Sequence, residues 1–198
     1  MAYDKFTTLS SSVVPLPIEN VDTDQIIPAR FLKATERKGF GDNLFRDWRF
    51  NQDGSPKADF VLNNDTYSGK ILVGGKNFGS GSSREHAAWA IYDYGFRCVI
   101  SSFFADIFKN NCLNIGVLPV QVSEGFLQSI FDAVKEDPKT EVTVDLGAQT
   151  VTLNATGAQE TFEISAYKKQ NLQNGFDDID YLLNIKSSIE GFAETRPF

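Results

Sequence analysis

Apolar residues in this chain fall into short, separated blocks whose spacing predicts alternating strands and helices. KILVGG (70–75), RCVIS (97–101) and VLPV (117–120) are brief, almost wholly apolar runs, as expected of strands buried on both faces of a sheet. Helical spacing lies between them. From Ser82 to Tyr94 an apolar stripe of Ala87, Ala88, Ile91 and Tyr92 follows an S-x-x-E capping box at Ser82 and Glu85, and Gly95 ends the segment. FADIFKNNCLNIG (104–116) predicts a second helix, and Ser123 to Glu136 a third, stopped by Asp137-Pro138. Strands alternating with helices predict βαβ units and a parallel core sheet. Farther on, EVTVDL (141–146), TVTLN (150–154) and TFEI (161–164) read as antiparallel strands, the first two joined by Gly147-Ala148-Gln149. The expected fold class is α/β: a mostly parallel core sheet with flanking helices and additional antiparallel strands. It is expected as one domain over 1–198. Residues 33–59 mix charges, glycines and exposed-looking aromatics without a period, and predict a long, partly mobile loop.

Composition narrows the function. A chain of 198 residues with 41% hydrophobic and 23% charged residues can bury a sizeable core. A formal net charge of −7 works against nucleic-acid and anionic-membrane partners. An acidic protein that binds a dicarboxylate needs local arginines to hold it. The start of the chain lacks a basic stretch followed by an apolar one, and no apolar run approaches membrane-spanning length, so a cytoplasmic location is expected. Cys98 and Cys112 lie in apolar surroundings and read as buried thiols. Two cysteines cannot hold a zinc ion or an iron–sulfur cluster alone.

GGKNFGSGSSREH (74–86) carries the candidate chemistry. A strand, a glycine-rich loop and a helix start in succession let backbone N–H groups approach an anion closely, aided by the helix dipole. Arg84 could add a bidentate clamp on a carboxylate. Familiar motifs fit badly: Ser80 stands where a P-loop needs lysine, Arg84 where the dinucleotide fingerprint needs its third glycine, and there is no G-x-S-x-G elbow. The plain structural alternative is that Ser82 and Ser83 cap the helix while Arg84 pairs with Glu85 or Asp93. His86, the sole histidine, fits a packed or supporting role better than a metal site.

GKNFGSGSSREHAAWA resembles the signature of the aconitase superfamily's swivelling domain, and NVDTDQIIPARFL resembles that domain's upstream motif. Over nearly its full length the chain is similar to the small subunits of the superfamily's two-subunit bacterial dehydratases. The resemblance implies a swivelling β/β/α domain, inactive alone. It also implies a partner large subunit holding a [4Fe–4S] cluster, one iron of which acts as Lewis acid on the substrate's hydroxyl and carboxylate. The implied reaction interconverts 2- and 3-isopropylmalate in leucine biosynthesis. By the same resemblance Ser82 is the general base, Ser83 and Arg84 hold a substrate carboxylate, and Asp24 is an acidic catalytic-site residue. From the residues alone, Asp24 reads equally as an Asx-type turn or a cap before Gln25. The arginine that aconitase uses on a third carboxylate has no clear counterpart here. Phe31, Leu32 and the aromatics of GFGDNLFRDWRF (39–50) are candidates for an apolar wall in its place. Competing readings are a dehydratase for homocitrate, citramalate or a dimethylmalate, a stand-alone anion- or nucleotide-binding module, and a metal-dependent transferase built on Asp22 and Asp24.

Overall fold

The computed structural model describes residues 3–33 and 38–196. Its framework is a seven-stranded mixed sheet in the order β4-β3-β2-β1-β5-β6-β7. The strands are β1 (Thr8–Leu16), β2 (Ile71–Gly74), β3 (Cys98–Ser101), β4 (Leu118–Gln121), β5 (Glu141–Asp145), β6 (Thr150–Leu153) and β7 (Ala158–Thr161). β1 to β4 run parallel, and β1, β5, β6 and β7 pair antiparallel. The helices are α1 (Thr23–Ile26), α2 (Arg46–Arg49), α3 (Glu85–Tyr94), α4 (Asp106–Ile115), α5 (Glu124–Glu136), α6 (Ala166–Asn174), α7 (Asp178–Asn184) and α8 (Lys186–Glu194).

Successive strand residues point to opposite faces, so each apolar run feeds two cores. Val13, Ile71, Val73, Cys98, Ile100 and Val120 pack under α5 on one face. Val14, Leu16, Leu72 and Val99 pack against α3 and α4 on the other. The three short parallel strands are therefore buried on both sides, as their continuous apolar composition predicts. α5 begins at its expected cap: the Ser123 hydroxyl accepts from the Phe126 N–H at 3.1 Å.

Several elements differ from expectation. β1 has no counterpart in the sequence reading, because Ser10, Ser11 and Ser12 dilute its apolar signal. Pro15 is tolerated in it because the antiparallel ladder to β5 ends at Ser12 and only the parallel partner continues. The strand expected at 161–164 lies earlier, at Ala158–Thr161. Gly157, with φ +74°, turns the chain there, and Phe162 drops into the core. Helices α6, α7 and α8 were likewise not expected. In the described part of 33–59, Phe40, Leu44 and Phe45 are buried rather than exposed, and the Phe45 N–H donates to the Ile26 carbonyl at 2.8 Å. The Gly41 N–H donates to Asp93 at 2.8 Å, tying this segment to α3. Ala34 to Arg37 lie outside the described residues.

Candidate functional site

Parallel strands end at one common edge, so the segments leaving β1, β2 and β3 must meet there. Residues 17–23, 75–84 and 102–106 are those segments. The Gly79 and Ser80 N–H groups donate to the Val21 carbonyl at 2.7 and 3.1 Å, and the Thr23 N–H donates to the Ser80 carbonyl at 2.9 Å. On the other flank, the Phe78 N–H donates to Phe103 O at 3.0 Å and the Ala105 N–H to Phe78 O at 3.2 Å. The glycine loop is thus stitched between two strips of backbone. Gly79 and Gly81 adopt φ of +77° and +88°, and a Cβ on Gly79 would stand 2.1 Å from the Phe108 ring. Only glycine fits there.

This stitching moves the start of α3. The expected capping box of Ser82 and Glu85 does not form: the helix begins at Glu85, its N-cap is Arg84, and no side chain caps it. Ser82 instead lies in a bend ahead of the helix, where its carbonyl accepts from the buried Thr23 hydroxyl at 2.7 Å. The capping box in this region belongs to α1. There the Asp22 carboxylate accepts from the Asp24 and Gln25 N–H groups, and the Gln25 side chain accepts from the Asp22 N–H. That cap leaves Asp24 free for another task.

Asp24 forms a bidentate ion pair with Arg84, one contact measuring 2.7 Å between Nη2 and Oδ2. Neither Glu85 nor Asp93 takes this role; Glu85 accepts from the Trp89 indole N–H at 3.0 Å. Arg84 also donates to the Ile27 carbonyl at 3.3 Å, and its side chain is only 11% exposed against 53% for Asp24. The hydrogen bond from Arg84 holds the Asp24 carboxyl below the usual carboxylate range, partly opposed by desolvation.

Ser82, Ser83 and Arg84 line one cleft of about 250 Å³ with Thr23, Gly79, Gly81, Ala105, Asp106, Ile107 and Phe108. Both serines are exposed. α4, like α3, starts at this cleft without a side-chain cap, so two helix N-termini bring their positive dipole ends to the same place. The arrangement can hold a carboxylate and support a developing oxyanion. Of the residues expected from sequence, the structure gathers Ser82, Ser83, Arg84 and Asp24. It does not bring Phe31, Leu32 or the 39–50 aromatics to this cleft: Phe40 and Phe45 are core, and Phe31 and Phe50 line a separate cleft with Arg30 and Arg46. The cleft's apolar side chains are Ala105, Ile107 and Phe108, none of them foreseen. His86 packs against Phe40 and Trp89.

Cys98 and Cys112 are fully buried on opposite faces of the sheet, and burial pushes both thiols upward, away from the thiolate form a metal needs. Among the described residues no three His, Cys, Asp or Glu side chains cluster as a metal site, and no helix is long and apolar enough to cross a membrane.

Comparison with known proteins agrees with the geometry. The profile of the aconitase C-terminal domain matches residues 3–125, and that of LeuD_N matches 128–166. The chain belongs to the aconitase C-terminal domain family. Among curated proteins it is 65% identical to the 3-isopropylmalate dehydratase small subunit of Cytophaga hutchinsonii over 195 residues, covering 98% of this chain and 97% of that one. It is 58% identical to the same subunit of Christiangramia forsetii, over 98% and 94% of the two chains. Within the wider family, then, it belongs with the 3-isopropylmalate dehydratase small subunits. Its backbone also resembles the crystal structure of 3-isopropylmalate dehydratase from Methanocaldococcus jannaschii, with a TM-score of 0.67 at 23% identity, over 93% of this chain and 98% of that one.

Proposed function

We propose that this chain is the small subunit of a hydro-lyase that interconverts 2- and 3-isopropylmalate, and that it acts only in complex with a large subunit. The observation that carries this reading is the cleft itself: two exposed serines and a fixed guanidinium stand at two uncapped helix starts. This is the equipment for gripping a carboxylate and removing a proton beside it. Among the described residues no metal-ligating set is gathered there to draw off the hydroxyl.

Ser82 is the proposed base. As its alkoxide it takes the carbon-bound proton and becomes a hydroxyl, while the neighbouring C–O bond breaks and hydroxide departs to the electrophile, giving the alkene; return of that hydroxide to the other carbon, with Ser82 giving its proton to the first, moves the hydroxyl. A serine hydroxyl is far too weak an acid to ionise at neutral pH unaided, so its oxyanion must be held by the N–H groups at the start of α3 and by Arg84. Ser83 and Arg84 grip a substrate carboxylate, and Asp24 fixes the plane of the guanidinium. The implied [4Fe–4S] cluster does not fit this chain, whose two thiols are buried apart. In this reading the large subunit holds it, and when bound it supplies the Lewis acid for the leaving hydroxyl.

The test is to assay the purified chain alone, the cluster-loaded large subunit alone, and the mixture, with 2-isopropylmalate. Turnover is expected only in the mixture, and activity of the isolated chain would overturn the proposal. A panel of homocitrate, citramalate and dimethylmalate then fixes the substrate. Arg84→Lys should mainly raise KM, because lysine keeps the charge and loses the fork.

A further inference from the structure

Two neighbouring serines at the end of β3 differ in how their hydroxyls are used. Ser101 Oγ donates to the Gly75 carbonyl at 2.7 Å and accepts from the Phe103 N–H at 3.3 Å. Ser102 Oγ is buried and, among the described residues, has no hydrogen-bond partner. Buried polar atoms are nearly always satisfied, so an orphan hydroxyl beside a hollow points to something that fills it. Ser102 lines a cavity of about 220 Å³ with Glu19, Lys76, Glu124, Leu127 and Phe131. At about 30 Å³ per water molecule, that is room for roughly seven waters or one small organic molecule. Leu127 and Phe131 belong to the core under α5, whereas Phe108 of the Ser82 cleft belongs to the opposite core. The two hollows therefore flank different faces of the sheet.

We propose that this cavity binds a free α-amino acid with an apolar side chain. Its polar end offers both signs of charge: Lys76 pairs with Glu124, and Glu19 lines the same space. The pair is 53% and 69% exposed, so opening it costs little. The other end is apolar. A groove of about 410 Å³ shares Pro17, Gln128 and Phe131 with the cavity and continues past Val61, Tyr67 and Val134. The ligand's carboxylate accepts from Lys76 and from the orphan Ser102 hydroxyl. Its ammonium donates to Glu124 and Glu19, and its side chain lies on Leu127 and Phe131 toward the groove. One ion pair inside the protein is exchanged for two with the ligand, and the hydroxyl gains its partner. A ligand with a single charge leaves Lys76 or the carboxylates unmatched. The place is also notable for what surrounds it. Pro17 and Glu19, Gly75 and Lys76, and Ser102 open the three segments that leave β1, β2 and β3, and later residues of those segments line the Ser82 cleft. A ligand there grips, from the far face of the sheet, the segments that carry Ser82 and Arg84.

The experiment titrates the full-length, nitrogen-15-labelled chain with L-leucine and follows the amide signals by NMR. Saturable binding is expected, with the largest shifts at Lys76, Ser102 and Leu127. Isocaproate lacks only the ammonium of leucine and isoamylamine only the carboxylate; each should bind roughly tenfold more weakly or worse. Glycine, which has no side chain for the groove, should also bind more weakly. Ser102→Ala should weaken leucine binding roughly tenfold without lowering the melting temperature, because the hydroxyl it removes has no partner in the free protein. Absence of saturable binding by leucine, valine and phenylalanine up to their solubility would overturn the site. Equal affinity for leucine and isocaproate would do the same, as would unchanged affinity in Ser102→Ala. Shifts centred on Ser83 and Arg84, and lost in Arg84→Gln, would put the ligand in the Ser82 cleft instead and overturn the proposal as well.

Discussion

The two halves of the sheet use the same alternation of side chains to different ends. In the parallel half, β1, β2 and β3 all finish at one edge, so three chain segments and two helix starts converge there. In the antiparallel half, β5, β6 and β7 reverse direction at each turn, which places the 146–149 and 154–157 turns at opposite edges. Both halves bury a core. Only the parallel edge gathers the glycine loop and two helix starts at one cleft, and that follows from strand direction rather than from composition.

The sharpest way to break this contrast is at Ser82. In the reconstituted complex Ser82→Ala should lower kcat by about 10³-fold or more, the scale of losing a general base, without loosening assembly or lowering the melting temperature. Its hydroxyl is exposed, so the fold has no need of it. Near-normal kcat would show that the convergence of segments at this edge serves something other than proton removal. The next largest effect sets a glycine from each half against the other. Gly79→Ala forces a left-handed residue and drives a methyl into the Phe108 ring, and should cost about 3 kcal/mol or more in chemical denaturation. Gly157→Ala has nearly the same φ, +74°, but open space around it, and should cost about 1 kcal/mol. Equal losses would mean that the glycine loop is no more constrained than an ordinary hairpin turn.

This difference between the halves also explains what the sequence could and could not disclose. β2, β3, β4, α4, α5 and the β5–β6 hairpin were legible because burial on two faces, or on one stripe, writes itself into local composition. β1 was hidden by its serines, and the edge strand β7 was misplaced because its side chains are mostly exposed. At the site, Ser82, Ser83, Arg84 and Asp24 are candidates through the resemblance of two motifs. Their grouping was not legible from spacing: the capping box was placed on Ser82 when the working box is that of Asp22 and Gln25, and Arg84 was matched to local carboxylates when its partner lies 60 positions away. Long-range stitching leaves no periodic signal. The Asp22-x-x-Gln25 pattern was a clue that would have released Asp24 from the capping role.

Thr23 sharpens the comparison at a smaller scale. It is buried and its hydroxyl donates to the Ser82 carbonyl at 2.7 Å, a contact expected to position the proposed base. Thr23→Val keeps the volume and removes the donor. The expected outcome is a stability loss of about 1 kcal/mol with a roughly 10-fold fall in kcat at little-changed KM, restored by Thr23→Ser. A loss of stability with kcat intact, or no rescue by serine, would reduce Thr23 to a packing group.

The smallest expected effect concerns the Asp24–Arg84 pair, an ionic link between the two motifs. The Asp24 carboxyl is held below its ordinary range chiefly by the hydrogen bond from Arg84. A carboxyl depressed in the folded state stabilises the fold above its unfolded pKa, and that contribution is lost as pH falls through the depressed folded value. Because Asp24 is half exposed, the contribution is below about 1 kcal/mol. The unfolding free energy of wild type should therefore exceed that of Asp24→Asn at neutral pH, with the gap closing in acid below the normal aspartate range. Carbon-13 NMR of the carboxyl should show the same depressed titration directly. A gap unchanged between neutral and acid pH, or an Asp24 that titrates at the ordinary value, would mean that Arg84 is not held in solution, and the guanidinium would then be aimed by the substrate rather than by the fold.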